Sequence, residues 1–591
     1  MAQDSGGNQP LADLLAQMAQ MLELTGADKF RIIAHQRAAR AIESRPEDLC
    51  SIAREQGPAA LTHIEGIGPK IADKIAEFAR TGIIEEHQRL RASVPPGLLD
   101  VLNVPGLGPK TIRVLWQKGG VQSVDDLRRI IEDQSILKLP RMGKKTVENI
   151  LAALLFSQQA VERLPLGIAA PIAEGLAERL RRVPGVARAH FAGSLRRGRD
   201  TIGDLDILVA TSDPAAARAA FTSMPEVTKV LAAGEAKCSV RLQAGDHAVQ
   251  ADLRIVPEES WGAALLYFTG SKEHNVRVRE RAQKKNLTLN EYGLYPEDND
   301  PLPPHQRSIT PIASASEEDI FKALGLPPVP PELREERDID APPPPLVDLS
   351  HIRSELHAHT TASDGKLSIV QLAEAARSRG FHTIAITDHS QSSAISGGLK
   401  PDELRRHIDA VRHAQSSVQG IRLLAGSEVD ILADGSLDYD DDLLALLDIV
   451  VASPHSALRQ DAAAATARLI RAATHPLVHI IAHPTGRLIN KREGLAPDIA
   501  EIAAAAAQHA TALEINSNWM RLDLRDIHVR AALAAAGPRA LIAINCDVHK
   551  HADFDHLRFG VLTARRGGLD PARCVNTWEP EKLAQWLRSK R

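Results

Sequence analysis

The chain has 591 residues, a formal net charge of −4, 44% apolar residues and 25% charged ones. That length is too great for one hydrophobic core, so several domains are expected, and the charge excludes a uniformly basic protein, so any nucleic-acid surface has to be local. Cys50, Cys238, Cys546 and Cys574 are too scattered for a disulfide framework or a thiolate zinc finger; the polar start MAQDSGGNQP lacks a signal pattern, and no apolar run is long enough for a membrane span. The expectation is a monomeric, cytoplasmic, multidomain protein without a membrane partner.

Residues 1–95 read as short amphipathic helices such as LADLLAQMAQMLEL, and residues 96–164 look similar. Two segments match each other: IEGIGPKIADKI at 64–75 and VPGLGPKTIRVL at 104–115. Gly66, Gly68, Gly106 and Gly108 permit a tight hairpin, and the following helix start offers free backbone N–H groups to a phosphate, with Lys70 and Lys110 adding charge. This resembles the helix-hairpin-helix motif, which grips the DNA backbone without reading sequence. The plain alternative is a helical connection with glycine as C-cap. A third copy, LPRMGKKTVENIL, has Arg141 where the first glycine belongs.

From 165 to 260 the pattern turns to strands interleaved with helices. FAGSLRRGRDTIGDLDILVA puts Asp204 and Asp206 two apart on a strand, facing one way, and Asp252 in VQADLRIV is a third strand carboxylate. Three carboxylates with few other donors suit Mg²⁺ (or Mn²⁺), which keeps water and substrate phosphate oxygens as further ligands. Gly193, Ser194, Arg197 and Gly203 lie alongside, placed to hold a polyphosphate. Residues 261–325 contain YFTGSKEHNVRVRERAQKKNLTLNEYGLYP, in which 271–285 carry six cations against two acids.

These segments resemble the palm and thumb (fingers, in some naming) of family X DNA polymerases, in the nucleotidyltransferase superfamily. The resemblance implies an α+β palm followed by a small α/β domain. It assigns both catalytic metals to Asp204 and Asp206, and the metal activating the primer 3′-hydroxyl to Asp252. Tyr267, Phe268 and Gly270 match the turn beside the incoming sugar, and Asn275 and Arg279 the contacts to the incoming base and templating strand. Leu166 stands where some relatives have a triphosphate-binding arginine. The N-terminal domain resembles the family's lyase-type domain, with Lys74 at the Schiff-base position, Lys70 at that of a phosphate ligand and His35 where relatives often have tyrosine. The alternative role for Lys74 is a solvated helix lysine.

Residues 326–350, LPPVPPELREERDIDAPPPPLVDLS, read as an extended proline-rich linker. From 351 to 591 the rhythm is β/α alternation, with seven apolar runs expected to form parallel strands. This part also holds sixteen of the 23 histidines. His357, His359, Asp364, His389, Glu428, His455, His483, Asp547 and His549 sit at or just past the ends of those runs, and Asp388, beside His389, is a further candidate ligand. In a parallel β/α barrel such positions converge on one rim. Mixed imidazole and carboxylate donors favour Mn²⁺, Zn²⁺ or Fe²⁺. His351, His382, His407, His413, His475, His479, His509, His528, His551 and His556 are expected to be surface or capping residues. The segment resembles the PHP (polymerase and histidinol phosphatase) domain, a distorted seven-stranded barrel. All nine of that family's usual ligand positions are filled, which implies a trinuclear phosphoesterase cluster.

The order of these parts resembles bacterial and archaeal-type family X DNA polymerases carrying a C-terminal PHP domain. The implied function is gap filling on gapped or nicked DNA with dNTPs in base excision or break repair. A Mn²⁺-dependent 3′–5′ exonuclease, and with it 3′-phosphatase or abasic-endonuclease activity, would come from the barrel. The alternative is a phosphatase on a DNA-binding scaffold with a vestigial polymerase.

Overall fold

The structure is a computed structural model that describes residues 8–43, 49–64, 66–102, 107–140, 142–144, 146–148, 150, 151, 154, 163–298, 300, 302–335, 337–393 and 396–590. Gly106 and Arg141 lie outside these residues. The chain divides into two compact units, residues 1–161 with 490–492, and residues 162–489 with 493–591.

The first unit is helical throughout its described residues. Its core gathers Leu11, Leu15, Met18, Ile71, Ile75, Leu98, Leu115 and Leu127. The helix Pro69–Thr81 shows why these segments fold so. Proline opens it, where no N–H is needed; Ile71, Ile75 and Phe78 fall on one buried face; and Gly82, at φ 73°, ends it by donating to the Phe78 carbonyl. The helix Pro109–Gly119 repeats the arrangement, with Gly120 at φ 68°.

The second unit begins with the palm. Its strands are β1 (Leu164–Pro165), β2 (Val186–Phe191), β3 (Thr201–Ile202), β4 (Asp204–Thr211), β5 (Val227–Ala233), β6 (Lys237–Ala244) and β7 (His247–Val256). Five of them form a sheet in the order β2-β4-β7-β6-β5, in which only β4 and β7 run parallel. The helices Leu166–Arg181 and Pro214–Thr222 cover it, with Leu176, Leu180 and Phe221 fully buried. A smaller domain follows: two helices, Trp261–Thr269 and Lys272–Gln283, the hairpin β8 (Leu287–Asn290) and β9 (Gly293–Pro296), and the helix Glu317–Leu324. Residues 326–350 contain no strand and only short 3-10 turns among their described residues, in keeping with their proline content. They are nevertheless anchored: Leu326, Val329, Leu333 and Ile339 complete the small domain's core, and Val347 is buried in the barrel's.

The barrel consists of β10 (Ser354–Glu355), β11 (Thr383–Ile386), β12 (Arg422–Asp430), β13 (Ile449–Ser453), β14 (Ile480–Ile481), β15 (Ala512–Asn516) and β16 (Ile542–Asn545). All seven are parallel and pair in chain order. Each expected run contains a strand, although HIIAHP contributes only two residues. A bridge between Ala358 and Val548 brings the last strand's exit beside the first's. The interior is lined by Ala385, Leu424, Val451, Ile480, Ala512 and Ala543, which pack with Trp578 and Trp586 at the C-terminus. Among the described residues no helix is long and apolar enough to cross a membrane.

Palm and barrel share a core: Ile489, Leu522 and Phe559 pack among the palm's buried residues. Gly167 lies so close to Trp519 that a Cβ there would sit 2.3 Å from the Trp519 Cβ. Gly167→Ala is therefore expected to destabilise this unit by about 1–3 kcal/mol, as overpacking does, read as a lower denaturation midpoint; an unchanged midpoint would show that this junction yields freely.

Candidate metal centre and palm site

The strand ends bring the nine barrel residues together. His357 and His359 follow β10, His389 follows β11, Glu428 lies in β12, His455 follows β13, His483 follows β14, and Asp547 and His549 follow β16. Glu428, 1% exposed, sits in the middle. Its carboxylate is 2.8 Å from His389 Nδ1, 2.8 Å from His483 Nε2, 3.4 Å from His357 Nε2, 3.4 Å from His455 Nε2 and 3.6 Å from His359 Nε2. Asp547 lies 3.2 Å from His359 Nε2, and Asp364 3.2 Å from His549 Nε2. Four overlapping sets have donor atoms within 4.8 Å of one another: His359 with Asp364, His389 and His549; His357 with Glu428 and His483; His357 with His359 and Asp547; His389 with Glu428 and His455. His483 and Asp547 adopt positive φ, 27° and 54°, a conformation unusual for non-glycine residues and concentrated at functional sites.

These residues fit a group of divalent cations on two grounds. First, His357 Nε2, both His359 nitrogens and His483 Nδ1 are buried with no hydrogen bond made, and His389 Nδ1 and Glu428 Oε2 face each other at 2.8 Å without hydrogen-bond alignment. A buried polar atom left so costs about 1–3 kcal/mol, and a cation removes that cost. Second, the donors are mixed N and O, the set that Zn²⁺, Mn²⁺ and Fe²⁺ take. Protons alone compensate unevenly. Burial pushes His359 down to about 4, with His549 and His389 adding to it. For His549 burial is outweighed by Asp364 and Asp547, which lift it to about 9.

A second layer aims the imidazoles, and sequence reasoning missed it. Glu514, fully buried on β15, accepts from His357 Nδ1 at 2.8 Å and from the His483 backbone N–H at 2.9 Å. Asp430 accepts from His455 Nδ1 at 2.8 Å, and Asn516 donates to Asp547 at 3.0 Å. Arg521, 3.9 Å from Asp547, adds positive charge. Two histidines expected at the surface are buried: His407 pairs with Asp388 at 2.8 Å, and His479 bridges Val450 N–H and the Leu587 carbonyl. Their burial follows from helix and strand positions that face the core.

In the palm, Asp206 and Asp252 are direct partners across the parallel β4–β7 pair, and Asp204 lies at the strand's exposed start. Asp206 is pushed up to about 7 by burial first, then by Asp204 and Asp252. Asp252 is held by Lys237 at 2.7 Å. The three carboxylates are not among the sets that meet within 4.8 Å. Gly193, at φ 60°, is where Asp206 approaches; a Cβ would lie 2.1 Å from its Oδ2. Arg197 donates from Nε to Glu335 at 3.0 Å and from Nη1 to the Thr269 carbonyl at 2.5 Å. Arg196 and Arg334 both grip Glu317, holding its carboxyl down at about 2 against the effect of burial. Asn275 donates to the Tyr267 carbonyl at 2.6 Å, Tyr267 is exposed, and Arg279 points outward, also exposed. Ser194 and Gly203 frame the same loop, and Phe268 packs against Arg254, 4.8 Å from its ring centroid. Leu166 is fully buried, so its side chain offers nothing to a phosphate.

In the helical unit, Gly66 takes φ 91°, and the outward faces of Gly68 and Gly108 meet no atom within 4 Å. Lys70 and Lys110 are exposed. Lys74 is only 14% exposed and forms an ion pair with Glu86 at 2.8 Å, shared with Arg31. A Schiff-base nucleophile needs a free amine, and this one is engaged by the Glu86 carboxylate. His35 is buried beside it.

A nucleotidyltransferase-like palm joined to a metal-binding β/α barrel of the PHP type, preceded by helical hairpins, defines the class. Four family profiles match stretches of the chain: helix-hairpin-helix domain over residues 6–84, SAM-like helix-hairpin-helix tandem over 98–154, DNA polymerase beta thumb over 264–335 and PHP domain over 355–518. The chain is 36% identical over 578 residues to the DNA polymerase/3′-5′ exonuclease PolX of Bacillus subtilis (strain 168), covering 97% of this chain and 98% of that one. The chain belongs to the PolX family. It is also 27% identical to DNA polymerase lambda of Rattus norvegicus over 345 residues, 54% of this chain and 55% of that one. A probable phosphatase of Thermoanaerobacter sp. (strain X514) is 25% identical over 245 residues, 40% of this chain and 95% of its own length.

Because Glu514 sets the His357 tautomer and orientation, Glu514→Gln is expected to lower metal affinity by roughly 10- to 100-fold. Metal content after dialysis against a graded chelator measures this; full retention would leave Glu514 a packing residue only.

Proposed function

We propose that this enzyme fills short gaps in DNA from its palm and trims or cleans 3′ ends from its barrel, working on gapped or nicked DNA with dNTPs. The observation that carries the reading is the presence, in one compact unit, of the Asp204, Asp206 and Asp252 carboxylates and a nine-donor rim with orphaned buried atoms.

In the palm, Asp204, Asp206 and Asp252 would hold Mg²⁺ or Mn²⁺. The Gly193–Ser194 turn and Arg197 would take the triphosphate, Tyr267, Phe268 and Gly270 the sugar side, and Asn275 and Arg279 the base and template. Gly203 leaves room for Arg163 near Asp204, since a Cβ there would lie 3.0 Å from the Arg163 Nη1. In the barrel, the nine donors would hold up to three ions of Mn²⁺, Zn²⁺ or Fe²⁺, with Arg521 beside them for a phosphate. Bound divalent ions would activate the primer 3′-hydroxyl in the palm and water in the barrel, and would neutralise phosphate charge at both places. Glu514 and Asp430 keep His357 and His455 aimed with their outer nitrogens free. Gly66, Gly68, Lys70, Gly108 and Lys110, with Gly106 by sequence, support backbone contacts to DNA. A cytoplasmic monomer is the setting this reading implies.

One assay on one-nucleotide gapped DNA, with dNTPs and Mn²⁺, reads extension and degradation together. Asp204→Ala with Asp206→Ala is expected to abolish extension and spare 3′-end degradation, and His357→Ala with His359→Ala to do the reverse. Extension that survives the first pair removes the polymerase assignment; degradation that survives the second removes the nuclease one. Lys70→Ala and Lys110→Ala should each reduce the slope of log affinity against log salt by about 1, if each neutralises one phosphate.

A further inference from the structure

The palm's phosphate loop, residues 193–203, is fastened to the barrel by side chains that no metal site or nucleotide contact accounts for. Arg566, in the barrel helix Leu557–Gly567 and 7% exposed, donates from Nη1 to the backbone carbonyl of Arg197 at 2.7 Å. The same guanidinium is held at the other side by Asp526, at 3.1 Å to Nε and 2.8 Å to Nη2, and lies 3.4 Å from Glu335. Glu335 in turn accepts from Arg197 Nε at 3.0 Å. Gly198, at φ 65°, lets the loop rest on that helix, since a Cβ would already be 3.3 Å from the Leu562 Cβ. Two residues on, Asp200 is bound by Arg487 at 2.9 Å. Arg487 also donates to the Leu522 carbonyl at 2.7 Å, and it follows His483 by four residues in a turn whose Thr485 and Gly486 backbone N–H groups bond Asp523.

Arg197 is thus held by its backbone from the barrel and by its side chain through an acid that the barrel also touches. A loop of this kind has to be fixed in advance if its N–H groups and guanidinium are to meet a triphosphate without a further ordering cost. The start of the turn is held by its own backbone bonds and by Arg196 on Glu317, whereas the stretch from Arg197 to Asp200, past Gly198 at positive φ, takes side-chain anchors from the barrel. We propose that Arg566, with Arg487 as second anchor, is a positioning residue of the polymerase: the barrel sets the geometry of the palm's triphosphate loop. The inference rests on the polymerase reading above.

The test is dNTP titration by the full-length protein on gapped DNA. Arg566→Ala should raise KM for dNTP roughly tenfold while kcat stays within about twofold, the pattern of lost ground-state positioning. Arg566→Lys, which keeps one donor toward the Arg197 carbonyl, should recover part of the loss. Arg558→Ala serves as control. It removes another palm–barrel ion pair, to Glu174 at 2.9 Å, away from the loop, and should leave KM unchanged. Barrel phosphoesterase turnover should be the same in all three variants, which reports an intact fold. An unchanged KM in Arg566→Ala, or an equal rise in Arg558→Ala, overturns the inference while the polymerase reading stands. If the unmodified protein does not extend gapped DNA, the polymerase reading fails and takes the inference with it.

Discussion

The barrel is organised around a concentration of buried charge that its own chain does not neutralise. Glu428 is ringed by imidazoles, two of them 2.8 Å away, and its Oε2 makes no aligned hydrogen bond, an arrangement that nearby cations stabilise. The strands exist in a form that serves this arrangement. Their interior is narrow, lined by alanines at 385, 482, 512 and 543, and their ends deliver the donors. The seam between β16 and β10 is closed mainly by side chains. Asn545 Oδ1 accepts from Leu356 N–H at 3.2 Å and from Asn576 Nδ2 at 2.9 Å, while its own Nδ2 donates to Glu514. Glu355 accepts from the His357 and Cys546 N–H groups, at 3.1 and 3.0 Å, with burial pushing its pKa up to about 8. The same residues that complete the barrel thus also steady its ligands.

The palm obeys a different rule. Its loop is gripped on one side by the small domain, through Arg196, Thr269 and Glu317, and on the other by the barrel, through Arg566 and Arg487. With Leu166 buried, no arginine reaches the triphosphate from the start of the first palm helix. On the proposed reading the remaining cations of the loop would carry that load, and their placement depends on neighbours outside the palm.

What could be read from sequence divides along physical lines. The nine barrel donors were legible because strand-end position and two-residue spacing are local properties, and they survive folding intact. Glu514 carried a signal as well, an acid within an apolar strand, but its partner His357 lies 157 residues away, and no spacing rule links them. Lys74 shows the opposite case: its helix position was readable, while its ion pair with Glu86, from the next helix, was not. Proline density in 326–350 bears on regular structure, yet it carries no information on packing, which depends on scattered apolar residues such as Val329 and Val347. His407 and His479 look like surface residues one at a time; only the helix and strand that carry them show which way they face.

The two sites differ in how complete they are before substrate arrives. The barrel donors already meet within 4.8 Å in four sets, so the cost of gathering them is met by folding. In the palm, Asp206 and Asp252 share a register, but Asp252 is occupied by Lys237, and burial together with its two neighbours keeps Asp206 partly protonated near neutral pH. On the proposed polymerase reading, a hard cation brought in with a nucleotide's phosphates would displace the proton of Asp206 and compete with Lys237 for Asp252. Such a site assembles on the substrate that needs it. A loop fixed from both sides suits that arrangement, because the triphosphate then has one place to go and the carboxylates are the part left to adjust.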